Sequence, residues 1–536
     1  MSDGRIPLPP EFEQRTLPDL LRHRFAAHAN RLALIASAAD GGERRITYAQ
    51  LGWQAVKFAR GLEALGAVRG DKIGILADNR VGYEASVTLV ACILAGFVAV
   101  PINARFSREE IDHAADLAEI RFLVHDMRHE ETLGDIAARI PAMERLIGIG
   151  SVPATSSSLA WEAVAVRPAA DAPAWPAPDE DEISEILFTS GSTARPKAAM
   201  LGTASGVYAA FGFAAALGLR EGDIYQSFFP FFTTAGIRCV LLPAWFAGAT
   251  AVLDPQLDIE AIMRRIEEER ATAYVGVPSF FIFLLEAYDP AKYDLSSLRV
   301  LDAGGAALLP ETTARLVEAF PGVDIRQTYG GTEGGPCGTV LEGKDALRKI
   351  GSAGTCWPHT ELRVVDEDGS DVPAGETGEI VVRSPGIFTG YYRNEEASRE
   401  TLREGWMHSG DIGRLDGEGY LYVVDRKKDL VIRGGHNIGT LEVETVLLRH
   451  PNVSEASVIG VPHPKLGEDL LAVIKTTDGA DIPSEELRAF CSGKLADFKT
   501  PRNFVFVTDF PRTGMGKILK PELRSLYRNL AEGGGR

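Results

Sequence analysis

The stretch 187-LFTSGSTARPK-197 runs from a short apolar segment into Ser190, Gly191, Ser192 and Thr193, and then reaches Lys197. Small hydroxyl side chains, a glycine and a lysine after a strand-like segment suit a bound phosphate. Backbone N–H groups and hydroxyls can converge on the anion, and the lysine adds charge. The spacing is not that of the G-x-x-x-x-G-K-[ST] loop. No glycine precedes Lys197, and Ala198 stands where a magnesium-binding hydroxyl belongs. Taken alone, the run also fits a polar turn after a strand, so its meaning depends on its neighbours.

Outward from this stretch, strand-like and helix-like patterns alternate. KIGILA (72–77), a helix over about 82–94 and FVAVPI (97–102) make one unit, and SEILFTS, GATAVL, ATAYVGV and SLRVLDAGG continue the rhythm. Such alternation predicts α/β layers on a largely parallel sheet. The uncharged run from Ala85 to Ile102 has the length of a membrane helix, but Gly96 interrupts it and Pro101 ends it. A buried helix and strand of a βαβ unit explain it better. Residues 151–182, rich in Ala, Pro, Ser and acid, read as a surface connector. Near Gly378 the pattern changes to GEIVVRS, GYLYVVD and DLVIRGG, expected as antiparallel strands. After residue 428 TLEVETVLLRH and EELRAFCSGKL read as helices, and ASVIGV, LLAVIKT and NFVFVTD as strands.

The bulk properties bound the function. A chain of 536 residues suggests two or more domains. A net charge of -18 argues against a nucleic-acid partner. Five scattered cysteines without a CxxC pair fit a reducing cytoplasm and give no zinc signature. The N-terminus lacks a basic segment followed by an apolar one, so no signal peptide is expected. His125 and His129 are spaced to share a helix face, but no third ligand lies near them in sequence, and a metal site is not expected there.

Four further stations give the first stretch its meaning. In 328-TYGGTEGGP-336, Tyr329 offers a ring to stack on a base, Thr332 a hydroxyl for a phosphate oxygen, and Glu333 a carboxylate for Mg2+. In 405-GWMHSGDIG-413, Asp411 suits bidentate bonding to ribose hydroxyls. In 423-VVDRKKDLVIRGGHNI-438, Arg426 joins it, and 511-PRTGMGKILK-520 puts Lys517 in a glycine-flanked loop. Each has a bland reading as core or turn. Their order and spacing together make coincidence untenable.

With these motifs in place, the chain from about residue 20 to 525 resembles the adenylate-forming superfamily of acyl-CoA synthetases, peptide-synthetase adenylation domains and beetle luciferases. The resemblance implies a large N-terminal domain of parallel-sheet α/β layers with a small β-barrel-like subdomain (1–427). A small mobile α+β C-terminal domain (428–536) follows, with its hinge at Lys428. It implies that Thr189, Ser190, Gly191, Ser192, Thr193 and Lys197 form the phosphate loop. Gly304, Gly305 and Ala306 form the strand end that contacts adenine. Tyr329, Gly330, Thr332 and Glu333 serve adenine, α-phosphate and magnesium, and Asp411 and Arg426 bind ribose. Gly434, Gly435 and His436 line a pantetheine tunnel, and Lys517 is the adenylation lysine. By the same analogy Phe231, Phe232, Thr233, Thr234, Ile237, Val277, Phe280 and 302-DAGG-305 line the acyl pocket.

The chain also departs from that pattern. Ala194 and Ala198 replace loop glycines, Thr233 replaces a histidine at the pocket mouth, and Thr440 replaces a proline before the C-terminal helix. None of these positions is assigned to the chemistry.

The reaction implied has two steps. A carboxylate attacks the α-phosphorus of ATP, pyrophosphate leaves, and the thiol of coenzyme A then displaces AMP from the acyl-AMP. Lys517 would neutralise the meeting of two anions and then give way to residues 434–437 as the small domain swings about Lys428. The cofactors expected are ATP, Mg2+ and coenzyme A. The expected partner is a small hydrophobic carboxylic acid (medium-chain, alicyclic or aromatic), with no nucleic acid, no transmembrane segment, a cytoplasmic location and a homodimer as one assembly. Arg238 is a candidate for holding a second carboxylate. His408 and His436 are read as structural. The alternatives are an acyl-AMP ligase loading a carrier-protein thiol, a non-catalytic nucleotide-binding protein and, more remotely, a luciferase-like oxygenase.

Overall fold

The computed structural model describes residues 8–165, 175–189, 196–336, 338–434, 436–512 and 518–528. By its contacts the chain divides into two units, Met1–Leu362 with Val381–Ser409, and Arg363–Ile380 with Gly410–Arg536.

The larger unit is built on two sheets. In the nine-stranded sheet, Asp324–Tyr329, Val300–Ala303, Ala273–Gly276, Ile224–Ser227, Thr250–Leu253 and Leu32–Ser37 lie side by side and parallel. Antiparallel strands finish both edges. In the eight-stranded sheet, Ile183–Thr189 runs parallel to Val98–Ile102 and antiparallel to Lys197–Gly202. The central strands are largely buried because both faces are covered, as parallel sheets require. VLDA at 300–303 is buried at every position, its aspartate included.

The run Ala85–Ile102 divides as the sequence predicts. A helix Gly82–Ala95 ends on Gly96 at φ 76, a left-handed cap that glycine adopts without penalty, and the strand Val98–Ile102 follows. Among the described residues no helix is long and apolar enough to cross a membrane. His125 and His129 do not share a helix face. His125 lies within the strand Phe122–Asp126, and His129 lies in the single turn Met127–His129. The spacing suggested a helix, but the apolar FLV before His125 pairs into the sheet.

The small β layer after Gly378 is an open five-stranded sheet in its described pairings, with Trp406–Leu415 and Leu421–Arg426 antiparallel. The third strand expected with them, Val431–Arg433, pairs with His436–Ile438 and with Arg433 opposite Gly467 instead. It therefore belongs to the sheet of the smaller unit. There Val453–His463 and Gly467–Thr476 form a long hairpin, Asn503–Phe506 adds a parallel strand, and Thr440–Leu447 and Ser484–Ser492 pack on one core.

Candidate functional site

The phosphate-loop candidate is held at both ends by strand pairing, with Thr189 directly opposite Lys197. Ser190, Gly191, Ser192, Thr193 and Ala194 lie outside the described residues. Lys197 Nζ stands 4.9 Å from the ring centre of Tyr391. Tyr391 reaches this place because Gly390–Tyr391 pairs with Ala199 and Met200 on the returning strand. Its hydroxyl donates to Glu333 Oε1 at 2.7 Å. One aromatic side chain thus links the loop lysine to the metal-binding candidate. The sequence reading missed Tyr391. The signal available was GYYRN, an aromatic pair after a glycine, which has no period of its own.

Tyr329 ends the strand Asp324–Tyr329, and Gly330 and Gly331 lead into a single turn Thr332–Gly334. The turn is fixed from outside, because the Phe388 N–H donates to the Glu333 carbonyl at 2.9 Å. Gly338 is required here, since a Cβ on it would come within 2.1 Å of the Tyr329 carbonyl oxygen. The hydroxyls of Thr332 and Thr234 share a hydrogen bond of 2.7 Å. This joins the phosphate motif to the proposed pocket segment. At the neighbouring strand end, the Gly304 N–H donates to the Gly276 carbonyl at 3.0 Å, and Gly305 has φ +81.

The pocket segment itself is clamped by a residue the sequence did not single out. Buried Asn79 accepts from the Phe231 N–H at 2.8 Å and donates to the carbonyls of Phe229 and Asp254 at 3.0 and 2.9 Å. Thr233 Oγ1 donates to the Pro230 carbonyl at 2.7 Å and accepts from the Gly236 N–H at 3.0 Å. Its hydroxyl closes the turn that starts the wide π-helix Ala235–Leu241. Such wide turns are rare and recur at functional sites. Phe231 and Ile237 are fully buried, Phe232 and Thr234 nearly so, and Val277 is half-buried. Phe280 stacks on Tyr274 at 4.5 Å, in the core cluster that also holds Phe281 and Leu284.

Arg238 is not placed to hold a second carboxylate. It is fully buried and donates to Glu185 Oε2 at 2.6 Å, to Ser205 Oγ at 3.1 Å and to the Gly202 carbonyl at 3.3 Å. Removing two charges from water is tolerated because each neutralises the other and the hydrogen bonds are made.

In the smaller unit, Asp411 and Arg426 face each other across the hairpin, with Arg426 Nε 2.6 Å from Asp411 Oδ1. Asp411 is buried, and the guanidinium is half exposed. Next to Arg426, Asp425 Oδ2 accepts both the N–H and the hydroxyl of Thr440, the latter at 2.7 Å. Lys520 Nζ donates to the same hydroxyl at 2.6 Å and pairs with Glu444 Oε1 at 2.8 Å. A proline at position 440 would lose both bonds to Asp425 and the one from Lys520. Burial depresses the Lys428 ammonium below its ordinary range, partly offset by Asp429. Gly434 has φ +58, and His436 stacks on Phe498 at 4.5 Å. Gly435 and Lys517 lie outside the described residues. The bridge Arg512↔Ile518 brackets the segment that contains Lys517.

The donor set suits a hard cation that keeps most of its shell as water and phosphate oxygen. Glu333 supplies one carboxylate, already oriented by Tyr391, and among the described residues no group of three His, Cys, Asp or Glu could hold a metal ion. Mg2+, which takes oxygen ligands and keeps several waters, is a cation that a single such carboxylate would suit.

Two family models match the chain, AMP-binding enzyme over residues 21–392 and AMP-binding enzyme C-terminal domain over 442–517. The chain is 36% identical over 501 residues to a feruloyl-CoA synthase of Amycolatopsis sp, covering 93% of this chain and 97% of that protein. It is 34% identical over 493 residues to an indoleacetate–CoA ligase of Aromatoleum aromaticum, covering 90% and 94%. Among solved structures, an anthranilate CoA ligase in complex with anthranoyl-AMP superposes with a TM-score of 0.87 at 28% identity, covering 96% of this chain and 98% of that one.

Proposed function

The chain belongs to the adenylate-forming superfamily, in its acyl-CoA synthetase branch of AMP-forming acid–thiol ligases that use ATP and coenzyme A, and we propose that the acid it activates is an aromatic monocarboxylic acid. The observation that carries this is the character of the Phe231–Arg238 segment. Phe231, Phe232 and Ile237 in it are apolar, the hydroxyls of Thr233 and Thr234 are engaged in hydrogen bonds, and its one basic residue is neutralised by Glu185 at 2.6 Å. Among the described residues of this segment an acid with a second carboxylate would find no free counter-charge, and a planar apolar one finds aromatic side chains. The relatives named for feruloyl, indoleacetate and anthranilate substrates support the same choice.

In this reading the carboxylate is presented at the Thr234–Thr332 pair, and its oxygen attacks the α-phosphorus as pyrophosphate leaves. Thr332 donates its hydroxyl to an α-phosphate oxygen, while Thr234 holds that hydroxyl in place. Glu333 would hold Mg2+, which screens the phosphate charge when bound. Residues 189–193 and Lys197 take the departing pyrophosphate. Lys517 supplies the cation that lets the two anions meet. Asp411 binds the ribose hydroxyls, and Arg426 is its partner until then. In the second step the coenzyme A sulfur bonds to the acyl carbon, the bond to AMP breaks, and Gly434–His436 line the path of the pantetheine arm.

Pyrophosphate release measured over aromatic, alicyclic, straight-chain and dicarboxylic acids tests the proposal. The aromatic monocarboxylates should give the highest kcat/KM. A dicarboxylate or a straight-chain acid in first place would refute it.

A further inference from the structure

The strand Val300–Ala303 sends alternate side chains to opposite faces of its sheet. Leu301 and Ala303 join the core cluster on one face, with Leu284 and Leu316. Asp302 therefore faces the other side, and it is fully buried. That other face is the one that carries Tyr225, because its neighbours Ile224 and Phe228 pack into the first cluster. The Tyr225 hydroxyl donates to the Cys239 carbonyl at 2.8 Å, so the wide helix Ala235–Leu241 lies over this side. From the adjacent strand, Thr328 donates its hydroxyl to Asp302 Oδ2 at 2.9 Å. Among the described residues Asp302 Oδ1 has no hydrogen-bond partner.

This location bears on the acid. Thr328 lies just before Tyr329 and the turn that carries Thr332, and Asp302 lies just before 303-AGG-305. The pair is thus one step inward from the strand ends at which the nucleotide motifs sit. Thr332 is bonded to Thr234 at the start of the same wide helix. An acid whose carboxylate lies at Thr332 and whose body runs inward beneath that helix points its far end at Asp302. A buried carboxyl with one oxygen pinned and the other unpartnered is a poor core residue, because an aliphatic side chain would fill the place without leaving an acceptor unsatisfied.

Building on the proposed aromatic acid, we propose that Asp302 reads a hydrogen-bond donor, a hydroxyl or an aromatic amine, at the end of the acid remote from its carboxylate. Thr328 holds the carboxyl by Oδ2 and leaves Oδ1 to accept the donor. Burial raises the carboxyl to about 7, so the ionised form that accepts at both oxygens is accessible at neutral pH and is favoured further by a second donor. The substrate would then be a hydroxy- or amino-substituted aromatic acid rather than its bare hydrocarbon analogue.

The test measures kcat/KM for pyrophosphate release on three matched pairs, 4-hydroxycinnamate and cinnamate, 4-aminobenzoate and benzoate, and 8-hydroxyoctanoate and octanoate. Sites built to bond a substrate hydroxyl discriminate strongly against the analogue lacking it. The wild-type protein should prefer the donor-bearing member of its best pair by about tenfold or more. Asp302→Leu should abolish or reverse that preference, and Asp302→Asn, which keeps an acceptor and the shape, should retain part of it. Equal use of both members by the wild type, or a preference surviving in Asp302→Leu, overturns the inference. If Asp302→Leu does not fold, loss of preference in Thr328→Val, which frees the carboxyl to turn, replaces it, and an unchanged preference there overturns the inference as well. Should only the octanoate pair be turned over, the aromatic reading fails, and that pair decides Asp302 by the same criterion.

Discussion

Thr234 and Thr332, far apart in sequence, meet hydroxyl to hydroxyl at 2.7 Å. One stands at the start of the helix over the proposed acyl pocket, the other in the turn of the phosphate motif. Under the roles proposed for these residues, the bond would tie the position of the acid to that of the α-phosphate, and in-line displacement depends on that alignment.

Thr332→Val should therefore lower kcat/KM by roughly 10²–10³ with every acid, because it removes a donor aimed at charge that develops in the transition state. Thr234→Val removes only the support for that donor and should cost less, about tenfold. Steady-state kinetics on two acids of different shape check both. Equal losses in the two variants would mean that Thr332 acts only by packing.

Lys517→Ala should cripple the first half-reaction by roughly 10²–10³ and spare the second. Its charge is needed when carboxylate and phosphate approach, not when a thiol attacks an acyl-AMP. Thioester formation from supplied acyl-AMP should stay near wild type. A parallel loss in both steps would remove the assigned role.

Tyr391→Phe deletes the hydroxyl that orients Glu333 and leaves the ring beneath Lys197. Groups that orient a metal ligand typically matter by 10–100-fold in metal affinity or activity. The Mg2+ concentration for half-maximal activity should rise by about tenfold, with KM for the acid unchanged. An unaltered Mg2+ profile would leave Tyr391 as a packing residue.

Asp302 and Asp254 are both fully buried, and burial raises each to about 7 from an ordinary value of 3.8. The folded chain therefore keeps protons that the unfolded chain releases between about pH 4 and 7. Stability from these groups is fully present below about pH 4 and is lost as pH rises through about 7. In Asp302→Asn one such proton is absent. Across that window the stability of the wild type relative to this variant should fall by up to about 1.4 kcal/mol per pH unit. Urea unfolding of the two proteins at several pH values reads this directly, and parallel curves would show that Asp302 ionises normally.

Much of the architecture could be read from the chain itself. The alternation around KIGILA and FVAVPI, the glycine at 96 and the motifs at 187–197, 328–336 and 405–438 each carry a local signal, a period, a cap or a fixed spacing, and local signals survive in one dimension. They were enough for the α/β layering and the family. Tertiary structure alone decided the rest, because it depends on which distant side chains meet. Tyr391 reaches Glu333 only through strand pairing with 199–200. Asn79 clamps Phe231, far from it in sequence, through its side-chain amide. Arg238, a plausible anion ligand by position, turns out to be consumed by Glu185. Strand Val431–Arg433 reads like its predecessors but pairs with Gly467–Thr476, since a short β-branched run specifies a strand and not its partner. In the same way VLDA announces a buried strand with one misplaced acid, and only the opposite face of the sheet shows what that acid lies beneath.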